Sequence, residues 1–166
     1  MVRAYRQEDA DVLWELKQGF ERGLGTGTGD EEKAARYADK LDEAYRRSYL
    51  DWVERCRTDE PDAVQLAERA DSVVGYVFVL PDTVAHIWDG AVLNELYVEP
   101  EYRGEDVGSE LLAAARAVAK DQTLPLDRML LDVDRANGRA RSFYERHGFD
   151  HWGEMLACDL SDPEDP

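Results

Sequence analysis

A mixed α/β fold, with helices packed on a mixed sheet, is what this sequence predicts. Three observations carry the prediction. Apolar residues alternate between strand-like and helix-like periods along the chain, in the order β-α-α-β-β-β-α-β-α-β. Residues 91–134 read as strand, loop, helix and strand, a βαβ unit. The second strand of that unit, "MLLDVD" (129–134), is apolar on both faces, as a central strand is. A length of 166 residues suits one domain with a real core, and no repeat or linker interrupts it. We take 1–160 as a single domain and "SDPEDP" (161–166) as an acidic tail expected to be disordered.

Taken in order, "VRAY" (2–5) is a short strand, and Gln7 to Phe20 carries helical spacing through Val12, Leu13, Leu16 and Phe20. "GLGTGTGD" (23–30) reads as a flexible loop ending in a helix N-cap at Asp30. Its glycines do not make a dinucleotide motif, because they follow a helix rather than a strand. From Glu31 to Arg57 a stripe of Ala34, Ala38, Leu41, Tyr45, Tyr49, Trp52 and Cys56 predicts helix, in one piece or two. Residues 63–82 read as a β-hairpin turning near Ala70–Ser72. "AVLNELYVEP" (91–100) is a strand closed by Pro100, and Val107 to Lys120 is a helix. Strand 129–134, helix Asn137–His147 and one or two closing strands in 149–160 complete the chain.

Charge narrows the function classes. There are 37 acidic residues against 20 basic, a formal net charge of −17, and the basic residues include only four lysines. Acid spread along the whole chain is expected of a protein adapted to a very salty cytoplasm, where screening relieves self-repulsion. No basic stripe exists to track a nucleic-acid backbone. No apolar run approaches the roughly 20 residues that span a bilayer, and no signal-peptide core opens the chain, so neither nucleic acid nor membrane is expected as a partner and the cytoplasm is the expected address. Cys56 and Cys158 form no disulfide or zinc spacing. The histidines His86, His147 and His151 form no metal-ligand set with the two cysteines, so no metal is expected.

The chemistry-bearing stretch is "EYRGEDVGSELL" (101–112). It delivers a helix N-terminus straight after a strand, with Arg103, Gly104, Gly108 and Ser109 arranged as for a phosphate. Four carboxylates crowd the same loop: Glu101, Glu105, Asp106 and Glu110. "LNELYVEPEYRGEDVGSELL" followed by "LDVDRANGRARSFYERHGF" resembles the GNAT superfamily of N-acetyltransferases, strongly over 91–150. The resemblance implies a mostly antiparallel sheet with a parallel central strand pair and helices on both faces. It implies acetyl-CoA as co-substrate, an amine acceptor selected by residues 20–60 and the 80–90 loop, and a homodimer left open.

Carried over residue by residue, the resemblance puts the coenzyme on Leu96, Tyr97, Val98, Arg103, Gly104, Glu105, Asp106, Val107, Gly108 and Ser109, with Asn137 and Phe143 along the pantetheine arm. Asp106 stands where the family has glycine, and its side chain competes for the helix amides if it caps the helix. Asn137 serves equally as a helix N-cap. Tyr144 corresponds to a phenol beside the coenzyme sulfur, or is core. An acceptor amine is mostly protonated at neutral pH and needs a base. Glu95 and Asp132 are the candidates on the two central strands, with Asp134 third and water mediation open. Pairing with an arginine would account for a strand carboxylate equally well. A backbone N–H within 95–98 is the implied oxyanion donor. A non-catalytic acyl-CoA-binding module with the same fold is the alternative.

Overall fold

The computed structural model describes residues 1–26 and 31–161. Strands β1 (Val2–Ala4), β2 (Val64–Arg69), β3 (Ser72–Val79), β4 (Ala91–Val98) and β5 (Met129–Leu130) form one sheet in that spatial order. The first three pairings are antiparallel and β4–β5 is parallel. The β2–β3 hairpin closes through Ala70 and Asp71, both at positive φ (46° and 65°), the conformation whose twist matches paired strands.

Helices cover both faces. Residues alternate in direction along β3, so Tyr76 and Phe78 face one side while Val77 and Val79 face the other. Helices α1 (Ala10–Thr26) and α3 (Glu43–Asp59) bury Leu13, Leu16, Tyr49 and Val53 against the first side. Helix α4 (Val107–Asp121) buries Val107, Leu111 and Leu112 against the second. Between α1 and α3 lies α2 (Glu31–Asp39). The predicted stripe over 31–57 is thus two helices, parted where the Asp42 carboxylate accepts the Tyr45 N–H at 2.7 Å and starts α3. Helix α5 (Gly138–Arg146) follows β5.

Three expectations are corrected. Helix α1 runs on through Gly23 to Thr26, so the start of the expected loop is helical: a glycine costs a helix only about 1 kcal/mol, too little to end it. The rest of that loop, with the Asp30 cap, lies outside the described residues, as does 162–166 of the tail. Second, the strand expected over 129–134 is only Met129–Leu130, and it is the edge of the sheet rather than a central strand. Beyond it the Asp134 carboxylate turns back to accept the Ala136 N–H at 2.8 Å and also pairs with Lys33, holding that end of the expected strand in a turn. Third, 149–160 holds no strand. With β5 so short there is no edge for it to pair with, and Trp152 (66% exposed) and Leu156 (90% exposed) lie in solvent.

Candidate active site

The site begins where β4 and β5 part. Only Ala91–Met129 and Val92–Leu130 pair, so β4 beyond Val92 has no β5 neighbour. Opposite β3 the register shifts: Phe78 faces Glu95 but Val79 faces Leu93, leaving Asn94 as a bulge. The bulge turns Glu95 and Tyr97 toward α1 and α3, and Leu96 and Val98 toward α4. Gly75 permits this close packing, since a Cβ there would stand 2.6 Å from the Tyr97 carbonyl oxygen.

The loop after β4 makes a 3-10 turn at Pro100–Tyr102 and then reverses through two left-handed residues, Gly104 (φ 89°) and Asp106 (φ 63°, ψ 0°). Asp is among the few side chains that tolerate this region. Its carboxylate makes no capping bond to α4 and is exposed. The opening N–H groups of α4, which no preceding turn can satisfy, are therefore not claimed by Asp106. Arg103 donates Nε to the Val98 carbonyl at 2.9 Å and lies 5.6 Å over the Tyr97 ring. Burial, then the neighbouring Arg139, lowers its pKa.

Across this loop sits α5. Asn137 caps it, accepting the Ala140 N–H at 3.2 Å. Gly108 lets α4 approach α5, because a Cβ there would lie 3.2 Å from the Phe143 ring. His147 Nδ1 donates to the Phe143 carbonyl at 2.8 Å, which leaves Nε2 to accept the Ser109 hydroxyl at 3.1 Å. Between β4, the loop and α5 opens a cavity of about 460 Å³, lined by Leu96, Val98, Gly104, Gly108 and Ser109 on one side and Phe143 and Tyr144 on the other. Tyr144 is half-buried, and desolvation pushes its phenol up to about 12.

The two candidate bases differ sharply. Glu95 is 4% exposed; its Oε1 takes Lys17 Nζ at 2.5 Å and its Oε2 takes the Tyr49 and Tyr76 hydroxyls, each at 2.8 Å. Lys17 is itself buried and also pairs with Glu21 at 2.6 Å. Burial alone would lower the lysine's pKa, but Glu95 and Glu21 together hold it above the ordinary value. Burial beside Glu95 raises both phenols well above theirs. The strand carboxylate is thus paired, with lysine rather than arginine. Asp132 is exposed beyond β5, and Asp134 is held by Lys33, whose hydrogen bond lowers its pKa.

The structure brings Leu96, Tyr97, Val98, Arg103, Gly104, Asp106, Gly108, Ser109, Phe143 and Tyr144 to one cavity. It does not bring all the expected residues there. Of the two candidate bases neither lines it, Glu95 being buried in the core and Asp132 exposed; Glu105 is exposed outside it, Val107 is buried in the core, and Asn137 opens on a neighbouring cavity. Sequence reasoning missed Arg139, Ala140, Ser142, Arg146 and His147 as lining residues; their spacing after Asn137 on a helix was the available signal. It also missed Lys17 as the partner of Glu95. His86 and His151 are exposed away from the cavity, and among the described residues no cluster of three His, Cys, Asp or Glu could hold a metal.

Residues 22–149 match the acetyltransferase (GNAT) family. The chain is 34% identical over 115 residues to a mycothiol acetyltransferase of Thermobispora bispora, covering 68% of this chain and 36% of that protein. It is 30% identical to a mycothiol acetyltransferase of Salinispora arenicola, covering 86% of this chain and 53% of that protein. It therefore spans about a third to a half of the length of these relatives. Among solved structures, the PaiA N-acetyltransferase of Thermoplasma acidophilum in complex with coenzyme A superposes with a TM-score of 0.69 at 23% identity, over 90% of this chain and 89% of that one. A ribosomal-protein-alanine N-acetyltransferase of Brucella melitensis gives 0.69 at 20% identity, over 92% and 86%.

Proposed function

The chain belongs to the acetyltransferase (GNAT) family, and from that premise we propose that it transfers an acetyl group from acetyl-CoA to a primary amine by direct attack of the amine on the thioester. The observation that carries the reading is the cavity at the start of α4, where Asp106 leaves the helix amides unclaimed. Backbone amides of 107–109, the bare backbone at Gly104 and Gly108, and Arg103 beside them fit a pyrophosphate. Phe143 and Leu96 offer apolar wall to a pantetheine arm. Acetyl-CoA, when bound, supplies an acyl group activated as a thioester.

The protein's own groups then have three tasks. The amine must lose a proton as it attacks. Glu95 is the acceptor favoured here: a carboxylate offers about four lone-pair directions, and Lys17, Tyr49 and Tyr76 take three. Glu95 lines neither cavity, so the proton reaches it through water. The β4 edge that lacks a β5 partner supplies backbone N–H to the carbonyl oxygen as charge grows there. Tyr144 steadies the departing thiolate. A thiol near pKa ~8.5 is the stronger acid by roughly three units, because burial pushes the phenol to about 12. Tyr144 therefore donates a hydrogen bond to sulfur and keeps its proton.

Incubation with acetyl-CoA and a panel of small amines, amino acids, peptides and aminoglycosides should release free thiol. Firm coenzyme A binding with no release across the panel would replace this reading by that of a binding module.

A further inference from the structure

On the α1 side of Tyr97 lies a second cavity, also about 460 Å³. It is walled by Gly19 and Arg22 of α1, Tyr97 and Arg103 at the end of β4, and Asn137 and Arg139 at the start of α5. Three of its lining side chains are guanidiniums and, among the described residues, none is a carboxylate. That composition stands out in a chain with 37 acidic residues against 20 basic. Arg22 holds Gln18 at 3.0 Å along α1. Arg103 commits Nε to the Val98 carbonyl, which leaves its terminal nitrogens. Among the described residues neither Arg103 nor Arg139 joins an ion pair, and each sits within the other's field. Glu101 offsets part of the repulsion between the two guanidiniums without pairing with either, and an incoming anion relieves the rest.

The wall is also kept bare. A Cβ at Gly19 would stand 2.5 Å from the Tyr97 hydroxyl, so glycine seats that phenol against α1, while Gly23 one turn on faces open space. Tyr97, Arg103 and Arg139 line both cavities, so the second abuts the first at Tyr97. Arg22 lines only the second.

We propose that this cavity receives an anionic group, carboxylate or phosphate, carried by the acceptor amine, with Arg22 and Arg139 as the specificity-determining cations. The proposal rests on the acetyl-transfer reading above. It makes the preferred acceptors amino acids, peptides with a free carboxylate, or phosphorylated amines, in preference to neutral amines of the same size.

The test compares kcat/KM for glycylglycine, its C-terminal amide and O-phosphoethanolamine. Expected is a preference of about tenfold or more for one of the two anionic acceptors over the amide, and whichever anion leads identifies the group. Arg22→Gln and Arg139→Gln should each erase the preference, and Arg22→Gln should leave the KM for acetyl-CoA unchanged. Equal kcat/KM for all three acceptors overturns the proposal, and so does a raised KM for acetyl-CoA in Arg22→Gln, which would assign the cavity to the coenzyme. If no amine is acetylated the functional reading fails, but the cavity is still tested. N-acetylglycine and inorganic phosphate, titrated into protein saturated with coenzyme A, should bind about tenfold more weakly to Arg22→Gln; no binding of either to the parent overturns the anion site.

Discussion

Asp106 combines a left-handed backbone with an outward carboxylate, and each half makes a prediction. Replacing it by glycine removes a backbone penalty of about 1 kcal/mol. It also removes a like charge that, at about 6 Å from a phosphate, costs ~0.7 kcal/mol in water-like surroundings. Asp106→Gly should therefore bind coenzyme A about threefold more tightly at low salt, with the gain fading in molar salt. Isothermal titration at the two salt levels checks this, and equal affinities at low salt would refute it. Tyr144→Phe tests the hydrogen bond to sulfur: kcat should fall by about 10²-fold while the KM for acetyl-CoA stays within about twofold. Because the phenol is pushed to about 12, the parent's rate should show no alkaline decline from its ionisation below that pH. Asp106 was legible in the sequence as a residue able to replace glycine sterically. The partners of Glu95 were not, because Lys17 lies 78 positions away and only the packing of α1 on β4 joins them.

At the scale of elements, the bulge at Asn94 and Gly75, opposite Val98, decide where the site's side chains point. Gly75 and Gly23 make a matched pair of tests. Gly75→Ala drives a Cβ to 2.6 Å from the Tyr97 carbonyl oxygen, within the sheet, where nothing flexible can yield. It should destabilise by about 1–3 kcal/mol in urea unfolding and lower activity through β4. Gly23→Ala adds a Cβ to a helix with nothing within 4 Å, and should stabilise by up to about 1 kcal/mol. A stabilised Gly75→Ala would mean that β4 is not pinned as described. Periodicity made β2, β3, β4, α3 and α4 legible, since each carries its own apolar face. It failed at 131–134 and 149–160, where apolar residues are present but pairing is not. Period alone cannot reveal that the chain leaves the sheet after Leu130, or that the Asp134 carboxylate turns back to the Ala136 N–H. Nor could it show that α1 runs on past Gly23, whose helix penalty is too small to end it.

The whole molecule carries a net charge of −17 around a buried core of lysine, glutamate and tyrosine, and the two respond differently to solution conditions. Hydrogen bonds from Arg3 to Asp9 and from Lys33 to Asp134 hold both carboxyls below their ordinary value of 3.8. Groups shifted this way contribute stability that is complete above the unfolded pKa and is lost only as pH falls through the lower folded value. Near pH 4.5, the isoelectric point, both are still ionised and their contribution intact. What has vanished there is the net charge and with it the mutual repulsion of the surface. Salt screens exposed charges of both signs, and with so large an excess of acid its main effect is on that repulsion, whose range shortens from about 10 Å at 0.1 M to about 3 Å at 1 M. Raising potassium chloride across that interval should therefore raise Tm by several degrees at pH 7, and by clearly less at pH 4.5. Sucrose, which favours burial without screening charge, should raise Tm alike at both pH values. A salt gain of the same size at both pH values would show that exclusion from the surface, not relief of carboxylate repulsion, stabilises this protein.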